Sequence, residues 1–378
     1  MKYVMVDISG KVPKYDIALC EAISSSHVPE NNLILLAANI EPTNVKCNAK
    51  RLVSLIPRKL QNSENKIKRS VKALECIINY FYLLTFVLFA QPKVIHFQWL
   101  PFLEVSSIER FFLQLIKLVS PKSKLLLTVH NIYPHNSSDG SRVKYKSRFA
   151  LVENFFNKFI LHLQISKSEF CHEFGIEENR CKVIPHGVFE PENLKIKPYN
   201  RNKKLRLIMY GNQSYYKGTD ILVDAIALLP KEIQNQISTT IVGKTSNEYL
   251  SLLQNKAKGL DIDIIPEFVS DEKLNQMILE SDVVVLPYRE ISQSGVLLLA
   301  LFFERPIICS DLPSFRETLN SIPDEYFFES CNPQKLANVI EKYACNFFDV
   351  EQYIKKLQSI KEMYLWSTIA KYYKEDVE

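Results

Sequence analysis

A chain of 378 residues exceeds the size at which a single hydrophobic core normally stops growing, so it predicts two domains. Its 47% hydrophobic and 24% charged residues, with only nine Gly, exclude a collagen-like, low-complexity or largely disordered protein. The net charge of +5 is uneven. Residues 1–190 hold 25 Lys/Arg against 16 Asp/Glu and the rest 22 against 26, which gives a basic first half suited to an anionic surface or a phosphorylated substrate, without the basic and aromatic runs of a nucleic-acid module.

The chain opens on a strand, Tyr3–Ile8, and MKYVMVDISGK lacks the layout of a secretory signal. A helix over Asp16–Ser25 and a strand over Leu33–Ala38 follow. Residues 73–90, ALECIINYFYLLTFVLFA, come after Lys66, Lys68, Arg69 and Lys72, an arrangement shared with membrane anchors. The uninterrupted apolar part, Ile77–Ala90, is 14 residues, short of the about 20 that a span needs. A core helix over Ile67–Ala90 is the primary reading, and contact with a membrane surface the second. Pro92 closes it.

Strands are then expected at Val94–Gln98, Lys124–His130, Phe159–Ile165 and Lys182–Pro185, with helices at Ile108–Leu118 and Arg142–Lys158. This alternation predicts a mostly parallel sheet covered on both faces. Glu190–Lys204 is polar and Pro-containing and reads as the linker, 191–204, between domains 1–190 and 205–355. A second series has strands at Leu205–Gly211, Ser238–Gly243, Asp263–Val269, Asp282–Pro287 and Pro306–Ser310, and helices at Thr219–Leu229, Asp271–Glu280 (N-capped by Ser270) and Gly295–Phe303. The fold class is α/β: two Rossmann-like, doubly wound domains facing a cleft, with a C-terminal helix over 356–378. The eight cysteines form no C-x-x-C pair and no His/Cys set at metal-ligand spacing, so free thiols in a reducing, cytoplasmic compartment and no bound metal are expected.

Two loops of the second half are suited to phosphate. Gly211-Asn212-Gln213-Ser214-Tyr215-Tyr216-Lys217-Gly218 offers flexible backbone, one cation and a helix start, and Ser294, Gly295 and Val296 offer backbone N–H groups at another. Neither matches the Walker pattern or G-x-G-x-x-G.

Taken together, Gly211…Lys217-Gly218-Thr219-Asp220, Glu267-Phe268-Val269-Ser270-Asp271, Ser281 to Arg289 and Ser292-Gln293-Ser294-Gly295-Val296 resemble, in residues and order, the C-terminal half of the family-4 (group 1) retaining glycosyltransferases of the GT-B fold. Tyr364-Leu365-Trp366-Ser367-Thr368-Ile369-Ala370 is similar to that group's closing helix, which returns to the first domain. The resemblance implies a metal-independent hexosyl transfer, with retention, from a nucleotide-sugar donor to a glycan or lipid-linked acceptor, as in surface polysaccharide synthesis at the inner face of the membrane. The nucleotide sugar is then a substrate and no cofactor is expected.

By the same resemblance Lys217, Gly211, Asn212, Ser294, Gly295 and Val296 surround the diphosphate, and Glu267, Phe268 and Val269 meet the nucleobase. Arg289 compensates charge, Gly10 allows a close backbone approach to the donor, His130 in Thr128-Val129-His130-Asn131 stands beside the donor sugar, and His96 lines the acceptor side. His186-Gly187 resembles the family's Asn-Gly at the domain junction and reads as a hinge. The chain departs from the family where a pair of glutamates, the second holding the donor ribose, is replaced by Ile291 and Leu299. Two other readings share the fold: a nucleotide-sugar epimerase and an inactive partner subunit.

Overall fold

The structure is a computed structural model that describes residues 3–26, 32–55, 66–134, 138–191, 199, 201 and 204–373. Most of the expected linker, 191–204, lies outside these residues, as do the last five residues of the expected C-terminal helix. The chain forms two compact units, 1–187 together with 365–378, and 188–364.

The first unit is built on β1 (Tyr3–Asp7), β2 (Leu33–Ala37), β3 (Ala49–Arg51), β4 (Val94–Phe97), β5 (Lys124–Thr128), β6 (Lys158–Leu161) and β7 (Cys181–Val183), in the order β3-β2-β1-β4-β5-β6-β7. Every pairing is parallel. The helices are α1 (Pro13–Ser25), α2 (Lys66–Ala90), α3 (Ile108–Val119), α4 (Asp139–Phe149) and α5 (Gln164–Phe174). A parallel sheet needs cover on both faces, so its central strands read YVMVD and VIHF, apolar almost throughout and fully buried.

Two expectations here need correction. The helix anticipated over Arg142–Lys158 ends at Phe149. Asn157 already belongs to the sheet edge, its N–H donating to the Leu125 carbonyl at 2.8 Å and its side-chain oxygen accepting from the Leu125 N–H at 2.9 Å, so the chain must be extended by then. The strand anticipated over Phe159–Ile165 stops at Leu161 because α5 starts at Gln164; Gly175, at φ +67°, ends that helix as a left-handed cap.

In the second unit β8 (Leu205–Tyr210), β9 (Ile237–Val242), β10 (Ile262–Ile265), β11 (Val283–Leu286), β12 (Ile307–Ser310) and β13 (Phe327–Phe328) pair in the order β10-β9-β8-β11-β12-β13, again all parallel. The crossovers include α6 (Thr219–Leu228), α7 (Lys231–Gln234), α8 (Asn247–Lys256), α9 (Asp271–Glu280), α10 (Gly295–Phe302), α11 (Pro313–Thr318) and α12 (Pro333–Ala344). Ser270 caps α9 by accepting the Lys273 N–H at 3.2 Å. The strand expected over Asp263–Val269 is shorter, leaving Glu267, Phe268 and Val269 in the loop beyond it. After α13 (Val350–Met363) the chain rejoins the first unit as α14 (Trp366–Lys371), which packs on α1. Only glycine fits at 187, because a Cβ there would lie 2.4 Å from the Trp366 indole.

Glu109 of α3 is fully buried, with one oxygen accepting the Phe102 N–H at 2.6 Å and the other without a partner among the described residues. Burial pushes its pKa up to about 8, so the side chain is a neutral acid through most of the physiological range. A carboxyl whose folded pKa is raised costs stability progressively as pH climbs from its unfolded value to about 8. Glu109→Gln is therefore expected to match the wild type near pH 4.5 and to exceed it at pH 8 by as much as about 4 kcal/mol, read by denaturant titration at the two pH values.

Candidate functional site

Strand order in the second unit reverses between β8 and β11, and ligands of open α/β sheets gather beyond the carboxyl ends of strands at such a switch point. Both phosphate-suited loops leave from there. Gly211 ends β8 at φ +93°, and a Cβ on it would stand 2.8 Å from the Lys217 ammonium and 3.2 Å from the Val296 side chain, so these three residues converge. Behind Gly211 the chain is equally tight: a Cβ on Gly243 would lie 2.0 Å from the Gly211 carbonyl oxygen.

Buried Gln213 locks the loop. Its amide donates to the carbonyls of Gly211 (2.6 Å) and Val242 (3.2 Å), and its oxygen accepts from the Thr219 hydroxyl at 2.6 Å. Gly218, at φ +67°, presses the far end against β11; a Cβ there would lie 1.9 Å from the Pro287 carbonyl.

Lys217 is only 6% exposed, its ammonium sits 5.5 Å over the Tyr288 ring, and no carboxylate among the described residues pairs with it. Burial pulls its pKa down to about 8. An uncompensated buried cation is costly, and an anion from outside would remove the cost. At the neighbouring start of α10 the Ser294 hydroxyl accepts the Leu297 N–H at 3.1 Å, while the N–H groups of Gly295 and Val296 meet no acceptor among the described residues. Space is open in front, since a Cβ on Gly295 would meet nothing within 4 Å. The Tyr210 hydroxyl donates to the Val296 carbonyl at 2.8 Å and ties this helix start to β8. A cation, free amides and a positive helix end thus share one corner.

Arg289 is engaged elsewhere. Its guanidinium makes a two-pronged pair with Asp220 (3.0 and 2.7 Å), donates to the Tyr215 carbonyl at 2.5 Å and lies 3.9 Å over the Tyr215 ring. Asp220 in turn accepts from the Tyr249 hydroxyl at 2.7 Å. Arg289 braces the Lys217 loop rather than offering a free charge. Asn212 and Glu267 are exposed, Val269 packs against the core, and Phe268 is 72% exposed beyond β10, a flat apolar face on the same edge of the sheet. Ile291 and Leu299 are partly buried against the core.

In the first unit the carboxyl ends of β5, β6 and β7 carry His130, His162 and His186, grouped around buried Tyr15 with ring centroids 4.9, 5.5 and 4.8 Å from it. The His162 Nδ1 lies 2.9 Å from the Ile184 carbonyl, which can only accept, so that nitrogen carries the hydrogen. Burial lowers the His162 pKa to about 3, leaving the ring neutral and its Nε2 an acceptor, 3.3 Å from the His130 Nδ1. Burial foremost, then the neighbouring histidines, holds His130 well below the usual imidazole range too. His130 therefore donates through Nδ1 and presents a bare lone pair at Nε2, an atom that is buried and has no partner among the described residues. It lines a cavity of about 30 Å³ with Trp99, Glu104, Asn131 and Tyr145, room for roughly one water.

Two sequence-derived candidates are recast. His96 is sealed in the core, its ring nitrogens bonded to the Tyr3 and Thr128 hydroxyls, both at 2.7 Å, and burial takes its pKa down to about 3; it presents no polar atom to an acceptor. Gly10, at φ +64°, is required by the fold itself, since a Cβ would lie 2.4 Å from the Ala38 carbonyl oxygen, and its N–H donates to Asp7 at 2.9 Å. The roles of Tyr15 and His162 carry no local sequence signal, and those of Gln213 and Asp220 show only through distant partners, Val242 for the one and Arg289 and Tyr249 for the other.

Comparison with known proteins bears on the fold and on the second unit. Residues 191–356 match the family model described as glycosyl transferases group 1. A GDP-mannose:glycolipid 4-beta-D-mannosyltransferase of Xanthomonas campestris pv. campestris is 31% identical over 123 residues, 32% of this chain and 33% of that protein. The chain thus spans about a third of the length of the curated relatives it matches. The crystal structure of Anabaena HepE in complex with UDP superposes with a TM-score of 0.69 at 14% identity, covering 99% of both chains. A glycosyltransferase from Rickettsia africae superposes with a TM-score of 0.68 at 15% identity, over 100% of this chain and 97% of the other. The chain has the GT-B fold throughout, and its residues 191–356 carry the group 1 glycosyltransferase pattern.

Proposed function

We propose that the protein transfers a sugar from a nucleoside diphosphate sugar to a glycan or lipid-linked acceptor in surface polysaccharide synthesis. The observation that carries this reading is Lys217, a buried cation without a counter-ion among the described residues, beside the open amides of Gly295 and Val296. When the glycosidic bond to a diphosphate breaks, negative charge builds on the leaving phosphates. Fixed amides and a desolvated ammonium stabilise that charge most in the transition state. Phe268 offers its exposed face to the nucleobase.

The site brings its own cation, which supports transfer without a catalytic metal. Retention of configuration stands on the resemblance of the second unit to its family. Inversion is favoured by one observation, the bare Nε2 of His130, which is suited to take a proton from an acceptor hydroxyl. The anomeric coupling of the product, set against that of the donor, decides between them.

Incubation with a panel of nucleoside diphosphate sugars and lipid-linked glycans is expected to release nucleoside diphosphate and leave sugar on the acceptor. Free sugar of altered configuration would indicate an epimerase. Absence of both nucleotide binding and turnover across the panel would overturn the proposal.

A further inference from the structure

Surface helices of soluble proteins put charge outward. α2 does the reverse. Its inner face enters the core through Cys76, Tyr80, Leu83, Leu84 and Val87, while its outer stripe is Leu74, Ile78, Phe81, Tyr82, Leu88 and Phe89, with Phe89 85% exposed. From Ala73 to Ala90 the only charged side chain is Glu75, and that one is buried. α3 packs beside α2 and continues the surface with Phe111 and Leu118, the latter 76% exposed, and Val105 precedes it. Tyr82, Thr85, Phe86, Phe89 and Ala90 line a shallow depression. Lys50 stands at its edge, 5.8 Å over the Phe86 ring.

The charge around this face is mostly positive, Glu104 being its exposed acid and Lys72 being paired with buried Glu75. Residues 66–124 hold nine Lys/Arg and three Glu, and two of the three, Glu75 and Glu109, are buried. Lys68, Arg69 and Lys72 lie at the start of α2, and Lys93, Lys122 and Lys124 follow the ends of α2 and α3. A second copy of the chain would bring the same positive charges against each other. A bilayer with anionic headgroups complements both the apolar stripe and its basic ends.

α2 is long and apolar enough to cross a membrane, but it is fastened into the unit. The Asn79 amide donates to the carbonyls of Ile8 and Val53, both at 3.0 Å, and Glu75 accepts the Leu55 N–H at 2.9 Å. Spanning would strip these bonds and the inner core contacts, whereas lying in the interface keeps them.

We propose that the outer face of α2 and α3 lies in the interface of a membrane rich in anionic lipid, and so brings the protein to a lipid-linked acceptor. The proposal rests on the glycosyl-transfer reading for its purpose, and its test does not. Full-length protein should sediment with vesicles of phosphatidylglycerol and phosphatidylcholine, less with phosphatidylcholine alone, and less as salt rises. A variant carrying Phe81→Glu and Phe89→Glu should lose partitioning by about tenfold or more, since each exposed aromatic ring contributes to insertion. The same variant should keep nucleoside diphosphate binding, because neither residue touches the Lys217 loop; since Phe81 meets the buried Phe112 ring, Phe89→Glu alone, which does not reach the core, should keep the wild-type melting curve and still lose partitioning. Absence of vesicle binding by the wild type would overturn the proposal. So would sedimentation equilibrium showing a dimer that this double variant turns into monomer, which would make the face a contact between copies.

Discussion

Replacing Lys217 by Met is expected to weaken binding of UDP or GDP by roughly 10–100-fold, the worth of a charge-assisted hydrogen bond, while making the ligand-free protein more stable. The two effects have one cause. Burial takes the Lys217 pKa from 10.5 to about 8, which corresponds to roughly 3 kcal/mol of disfavour for the charged form. Because the folded pKa lies below the unfolded one, the folded state bears this cost in full below pH 8, and it fades between pH 8 and 10.5, where the unfolded chain still holds a proton that the folded chain has released.

The wild type should therefore gain stability over that interval and Lys217→Met should not. At neutral pH the variant should melt roughly 4–10 °C higher. Nucleotide affinity of the wild type should also fall as pH passes 8, when the ammonium is lost. Calorimetric titration and thermal melts on both proteins read all of this. A variant that binds nucleotide normally removes Lys217 from the site, and a variant that melts lower than wild type removes the claim that the cation is uncompensated.

If transfer inverts, His130→Ala is expected to lower kcat by about 10²–10⁴-fold, the usual range for a lost general acid or base, with nucleoside diphosphate affinity nearly unchanged. His162→Phe should give a smaller loss, since it keeps an aromatic ring beside Tyr15 but removes the acceptor that fixes the His130 tautomer. The pH profile separates this chemistry from simple packing. The His130 pKa is held below the ordinary imidazole value, so its lone pair survives until the pH is well under 6.5. The wild-type rate should keep its plateau through pH 6.5 on the acid side. An acid limb at 6.5 would mean a solvated histidine, and an unchanged kcat in His130→Ala would end its assignment.

Much of this fold is legible in the sequence because parallel strands buried on both faces must be apolar nearly throughout. VVVL and IICS in the second unit, like YVMVD in the first, announce themselves. The α10 start is legible for a related reason: a capping Ser before Gly and an apolar run has few other structural meanings. What is hidden depends on residues far apart in sequence.

Arg289 reads as an available cation, yet its partner Asp220 stands 69 residues upstream. His130 and His162 are 32 residues apart and meet only because β5 and β6 are neighbours in register. His96 looks like a strand-end site residue, but strand position alone does not say that Tyr3 and Thr128 will close over it. The helix α5 is missed because its sequence, QISKSEFCHEF, has little apolar periodicity of its own and is held by the surrounding sheet.

The most direct test of the account is a crystal structure of the protein with UDP or GDP bound. It should show phosphate oxygens within hydrogen-bonding distance of the Lys217 ammonium and the N–H groups of Gly295 and Val296, the base against Phe268, and Arg289 still paired with Asp220. A diphosphate bound away from Lys217, or no nucleotide bound at saturating concentration, would contradict it.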